Sequence, residues 1–177
     1  MFGIRLASPR FVGAAALLVV TACTSPLAPE IQEPGIQVGG SEYVLNTSGR
    51  WMATEIPYVF TNRTGARVHV VNCQGGFGVA LERWEDGKWK AAWSPVLASC
   101  LSPPLLIEAG EQYAGVLNVV GALPGTNAAP RFDVADPSGV YRIVWTAALS
   151  SFRDEVPFGE LIPLAARASN TFVLRLE

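Results

Sequence analysis

Downstream of residue 40, apolar and polar residues alternate with a period of two through most of the chain. A half-buried β-strand requires this period. In WMATEIPYVFTN (51–62), Met52, Thr54, Ile56, Tyr58 and Phe60 fall on one face, and Asn62-Arg63-Thr64-Gly65 follows as a turn. SEYVLNT (41–47) and ARVHVVNC (66–73) alternate in the same way. FGVALERWE (77–85) and KWKAAW (88–93) flank Asp86-Gly87, a two-residue loop that predicts a hairpin. On a strict period of two, Trp89 and Trp93 share a face of the second arm, and Trp84 is the tryptophan expected to be most exposed. LLIEAGEQYAGVLNVV (105–120) has a glycine turn at Ala109-Gly110 and then a strand. In the stretch 131–148, Tyr141, Ile143 and Trp145 share a face with Arg142 opposite. The last strand is NTFVLRLE (170–177), with Phe172, Leu174 and Leu176 on one side.

Helical periodicity is absent from this pattern. Within 154–168, Pro157, Gly159 and Pro163 leave room only for a short turn after Pro163. About eight strands with turns every 8–15 residues predict an all-β fold, an antiparallel β-sandwich of about 7–9 strands.

Upstream of residue 40 the pattern changes. Arg5 and Arg10 precede the uncharged run FVGAAALLVV (11–20), which is shorter than the roughly 20 residues a spanning helix needs. The run ends in Val20-Thr21-Ala22-Cys23. This segment resembles the lipobox of bacterial lipoproteins. The resemblance implies a signal peptide over 1–22, cleavage before Cys23, acyl chains on that residue, and attachment to a bacterial membrane. That membrane is the outer one if the host is Gram-negative, because Thr24 rather than aspartate follows the cysteine. Residues 23–40, with Pro26, Pro29, Pro34 and three glycines, read as an extended tether with a reach of about 50 Å. The domain is then expected over 41–177.

Removing residues 1–22 takes away Arg5 and Arg10 and no acid. The 13 basic and 15 acidic residues of the whole chain become 11 and 15, a net charge of −4 with no basic run. A nucleic-acid partner calls for a basic stripe, so this composition argues against one. With Cys23 assigned to lipid, Cys73 and Cys100 remain. In an exported chain such a pair reads as a disulfide, and closing this loop stabilises by roughly 3.5 kcal/mol. A metal pair or two free thiols are the alternatives, although His69 is the single histidine and two thiolates alone do not complete a zinc site.

Asp136-Pro-Ser-Gly139-Val-Tyr141-Arg-Ile143 resembles the tyrosine corner of immunoglobulin-like domains, where the phenol bonds back to the upstream backbone. Ile143 stands where antibody domains carry a cysteine. Tyr58-Val-Phe-Thr-Asn62, Leu81-Glu82, Asp86-Gly-Lys-Trp89, Ile107-Glu-Ala-Gly110 and Gly139-Val-Tyr-Arg142 extend the likeness to bacterial immunoglobulin-like lipoprotein modules over roughly 55–177. A looser similarity links the chain to immunoglobulin-like intracellular proteinase inhibitors of bacilli, whose compartment does not match an export signal. These motifs are structural and imply a fold rather than a chemistry.

A catalytic constellation is not visible. The chain has no Gly-x-Ser-x-Gly elbow and no His-Glu-x-x-His. His69 alternates with Val68 and Val70 in a strand, Gly75-Gly76-Phe77-Gly78 lacks the features of a phosphate loop, and Glu82, Glu85 and Asp86 flank a turn. No catalytic, metal or cofactor-binding residue is assigned. Two surfaces are candidates for binding: the tryptophan hairpin, represented by Trp84, and the apolar connection 149–169, represented by Phe152, Phe158 and Leu161. The sequence thus reads as a non-catalytic, lipid-anchored envelope module that binds an envelope protein or a glycan. An inhibitor-like module acting through a loop is the second reading, and an envelope enzyme the third.

Overall fold

The computed structural model describes residues 28–150 and 159–177. The long alternating segment at 51–61 forms the central strand of one sheet. In chain order the elements are β1 (Ile36–Val38), β2 (Glu42–Ser48), β3 (Trp51–Thr61), β4 (Val68–Val70), β5 (Asn72–Cys73), β6 (Gly76–Phe77), β7 (Val79–Glu85), β8 (Lys88–Trp93) and β9 (Leu105–Ile107). They continue with β10 (Gln112–Ala122), β11 (Gly139–Trp145), β12 (Ala148–Leu149), the one-turn helix α1 (Leu164–Arg167) and β13 (Phe172–Leu176).

One layer holds β10, β3, β1 and the end of β2; the other runs β2-β13-β11-β7-β8. The two layers share β2. Its first half pairs in parallel with β13, Val173 opposite Glu42 to Leu176 opposite Leu45, and its last three residues pair antiparallel with β3. The fold is therefore an all-β sandwich, but its sheet is mixed rather than wholly antiparallel. A small sheet, β12-β4-β9, and the two-residue pair β5-β6 complete the described strands.

The core follows the alternation. Met52, Ile56, Tyr58 and Phe60 are buried, and Thr54 on the same face is half-buried. From the other layer come Leu81, Tyr141, Ile143, Trp145, Phe172 and Leu174. Trp145 sits between the layers, its ring stacked on Phe60 at 4.5 Å and edge-on to Tyr58 at 6.1 Å. Burial of each such side chain contributes about 1.5–3 kcal/mol. Leu176 leaves this face and is exposed at the chain end.

Local chemistry explains the connections. Asp86 and Gly87 both adopt positive φ, 53° and 76°, as a primed hairpin turn requires. The Tyr141 hydroxyl donates to the Pro137 carbonyl at 2.8 Å, closing the corner that leads into β11. α1 begins directly after Pro163 and lasts four residues.

Part of the stretch read as tether lies within the folded layer. Ile36 and Val38 are buried and pair with Phe60 and Tyr58. Gly35 packs so tightly on α1 that a Cβ there would overlap the Ala166 carbonyl oxygen. The folded domain thus starts about five residues earlier than the alternation alone indicated.

Candidate functional site

The β7-β8 hairpin carries the first candidate surface. Its register runs Glu85–Lys88, Trp84–Trp89, Arg83–Lys90, Glu82–Ala91 and then Leu81–Trp93, so Ala92 is an extra residue in a bulge. One inserted residue reverses the side-chain alternation beyond it. Trp89 and Trp93 therefore occupy opposite faces, which corrects the shared face that a strict period of two implies. Trp93 turns into the core, where its indole N–H donates to the Val120 carbonyl at 2.9 Å. Trp89 stays on the outer face beside Trp84, with ring centres 5.3 Å apart.

Arg142 reaches the same outer face from β11. Its guanidinium lies 4.4 Å from the centre of the Trp89 ring, and its Nε and Nη2 donate to Glu82 Oε2 at 2.8 and 2.5 Å. A side chain only 7% exposed carries a full charge at tolerable cost when carboxylate and π-face both engage it. Trp84 is half-buried against this group rather than standing free of it. The remaining acids at the turn are also engaged, since Lys90 Nζ contacts Glu85 and Asp86 at 2.8 Å each. Its hydrogen bond, followed by its charge, holds the Asp86 carboxyl below the usual range.

In the second candidate surface, Phe152 and Phe158 lie outside the described residues. Leu161 is described and bridges Leu149, with its side chain 47% exposed. Next to it Ile162 is buried, and its N–H donates to the Ala148 carbonyl at 3.1 Å. The C-terminal end of this connection therefore folds onto the sandwich, while Leu161 and Leu164 face outward.

His69 is half-buried on β4 between buried Val68 and Val70. Burial, with Arg67 nearby as the lesser cause, holds its pKa below the ordinary histidine value. Among the described residues, no group of three His, Cys, Asp or Glu side chains could hold a metal ion. An open cleft of about 540 Å³ lies between residues 123–127 and 131–135, with Arg131 and Asp133 3.5 Å apart on one side.

Cys73 and Cys100 form a disulfide, S–S 1.96 Å, which ties the loop after β8 to the end of β5. That tie helps to shape a feature the sequence did not expose. Residues Pro95 and Leu97 of the loop, with Gly75 to Phe77, stand opposite β10 across a groove of about 200 Å³. Tyr58, Val79, Tyr113 and Leu117 contribute to its apolar lining. Burial first, and Tyr113 second, push the Tyr58 hydroxyl up to about 12, so the phenol stays protonated.

Among the described residues β10 pairs along its length with β3 alone, and on its other side its last residue, Ala122, bridges Arg131. The Asn62 N–H donates to the Glu111 carbonyl at 3.0 Å, which sets the phase of this ladder. Counting by twos, Tyr113, Gly115, Leu117 and Val119 aim their main-chain groups at β3, and Gln112, Ala114, Val116, Asn118 and Val120 aim theirs away. At the far end of the outward row, Trp93 takes the Val120 carbonyl, and the Ala122 N–H donates to Pro130 at 2.9 Å. Among the described residues, Gln112, Ala114, Val116 and Asn118 have no main-chain partner on that side. The uncharged run at 112–120 was a sequence signal for this edge, but the neighbours of β10 are fixed only by topology.

No family model matches the chain, and no curated protein matches it. Among solved structures, the Pseudomonas fluorescens alkylpurine DNA glycosylase AlkC, bound to DNA containing an abasic site analog, is similar at 13% identity with a TM-score of 0.30. The likeness covers 81% of this chain and 31% of that one, so the chain spans about a third of that neighbour's length. A TM-score this low supports no argument about fold or activity.

Proposed function

We propose that this protein is a non-catalytic, lipid-anchored module of a bacterial envelope, an immunoglobulin-like sandwich held out from the membrane to bind or scaffold another envelope component. The observation that carries this reading is Val20-Thr21-Ala22-Cys23 after an apolar run too short to span a bilayer. The Cys73–Cys100 disulfide supports export, because such bonds persist in oxidising compartments. The half-buried and ion-paired setting of the tryptophan hairpin supports a structural role for that face. With β1 folded into the sheet, Pro34 buried and bonded by Arg63, and Glu33 at positive φ, the free span shortens to residues 24–32, at most about 28 Å if extended as polyproline. Two acyl chains on Cys23 suffice for stable anchoring, where one holds only marginally.

Replacing the anchor tests the assignment. Cys23→Ala is expected to move the protein from the membrane fraction to the soluble exported fraction, with the disulfide still formed. Retention of Cys23→Ala in the membrane fraction sinks the anchor.

A further inference from the structure

The geometry points to the free edge of β10 as a docking site for an extended, uncharged peptide strand from another protein, added antiparallel or parallel to β10. This inference deepens the binding-module reading and rests on it. Gln112, Ala114, Val116 and Asn118 present one N–H and one C=O each toward the open side, a ladder template without a partner among the described residues.

Native sheets blunt such edges with charge, proline, bulges or brevity. β10 has none of these over its outward row: it is eleven residues long, and 112–120 contains neither a charged residue nor proline. On its outer face Val116 is 51% and Val120 41% exposed, opposite Pro57 and Ala53 of β3. A cross-strand neighbour beside Val116 and Val120 is favoured when apolar or neutral, since the charge on this face of the two strands, Glu55 opposite Asn118, lies one strand further in.

The groove decides what kind of occupant fits. Its volume of about 200 Å³ is below the roughly 300–1,000 Å³ of small-molecule pockets. It lies under the edge, between β10 and residues Phe77 and Leu97, where an inward-pointing side chain of an added strand would arrive. Tyr58, Tyr113 and Leu117 give it an apolar lining, so the inward residue is a large apolar one. A second folded copy fits less well. Antiparallel pairing of two β10 edges places the two-fold axis perpendicular to the sheet, which brings both copies' groove walls onto the same side and against each other.

The test uses the full lipidated chain in detergent and a displayed library of random nine-residue peptides, from which enriched sequences are synthesised. Enriched peptides are expected to be uncharged and alternately apolar. They should slow amide exchange at Ala114, Val116 and Asn118 at least tenfold, with affinity little changed by 1 M salt. Val116→Pro removes an outward N–H without touching the β3 ladder and is expected to weaken binding at least tenfold; Val116→Lys, which keeps the backbone intact, should do the same.

Three outcomes overturn the inference: no enrichment, peptides that protect only residues elsewhere, or dimer formation that protects these amides without peptide. Protection confined to the Trp84 or Leu161 surface would leave a binding module with a different face. No enrichment at any surface would remove the binding reading as well.

Discussion

Replacing Asn62 with alanine isolates the contribution of one fully buried amide to the join between β3, the turn after it and β9. Asn62 is 0% exposed. Its Nδ2 donates to the Ala66 carbonyl at 2.7 Å and the Ile107 carbonyl at 2.8 Å, and its Oδ1 accepts from the Thr64 N–H at 3.0 Å and the Thr64 hydroxyl at 2.7 Å. These contacts fasten the end of β3 to the following turn and to β9. In Asn62→Ala the Thr64 hydroxyl, whose one proton serves Oδ1 in the parent, turns to the Ala66 carbonyl 3.0 Å away, and the Thr64 N–H regains water. The Ile107 carbonyl loses a buried donor, which costs about 1–3 kcal/mol, and the lost turn bonds add roughly 1 kcal/mol. The sum is about 3 kcal/mol, or about 10 °C in Tm for a domain of this size. Urea unfolding of the two proteins measures it, with Asn46→Ala as a control, since that exposed side chain makes only a 3.4 Å bond to Val44. A loss below about 1 kcal/mol for Asn62→Ala would refute the assigned role, as would an equal loss in the control.

Cys73→Ala with Cys100→Ala is expected to cost about 3.5 kcal/mol in the same assay, and unreduced mass analysis of the parent should show two hydrogens fewer than the dithiol. Arg142→Met removes both bonds to Glu82 and the Trp89 contact, leaving a half-buried carboxylate unpaired. A loss of about 3 kcal/mol is expected, partly recovered on adding Glu82→Gln; no recovery would show that packing rather than charge sets the cost. The buried Tyr58 phenol binds its proton more tightly folded, at about 12, than unfolded, at 10.0. Its stabilisation is complete below pH 10 and is lost as the pH rises through about 12, at up to about 1.4 kcal/mol per pH unit. Urea unfolding at pH 9 and pH 11.5 reads this loss, and equal stabilities at the two pH values would contradict it.

Strands long enough to show several alternations were legible in the sequence. The face of Met52, Ile56, Tyr58 and Phe60 and that of Tyr141, Ile143 and Trp145 both point into the core. The Asp86-Gly87 turn was legible because its residues select positive φ. Three features escaped for physical reasons. The bulge at Ala92 adds a residue without any composition signal, so Trp93 faces opposite to its period-two expectation. β1 is three residues long between glycines, too short to express a period, and it is ordered by contacts with β3 and α1. The parallel pairing of β2 with β13 joins residues about 130 positions apart, which no local pattern encodes. The candidate groove belongs to the same class, since β10, Phe77 and Leu97 meet only through topology. The tryptophan hairpin illustrates the converse. Its aromatic residues were conspicuous in the sequence, yet Arg142, whose role was not foreseen, fills the space beside Trp89.

Under the proposed N-terminal anchor, the tight seat of Gly35 has a mechanical consequence. Tension entering there meets a clasp before it reaches the ladder of β1. Gly35 donates to the Ala165 carbonyl at 2.9 Å and accepts from the Thr61 N–H at 2.8 Å, while Asn170 grips the N–H and C=O of Val38 at 2.7 and 3.2 Å. Pulling β1 away therefore strains residues 165–170 together with β3. From β3 the force passes straight across to β10, so a ligand gripping that edge would sit at the far end of a three-strand path. Ser169, next to Asn170, exchanges hydrogen bonds with the main chain of Ile143 in β11, so part of the load also enters the second layer.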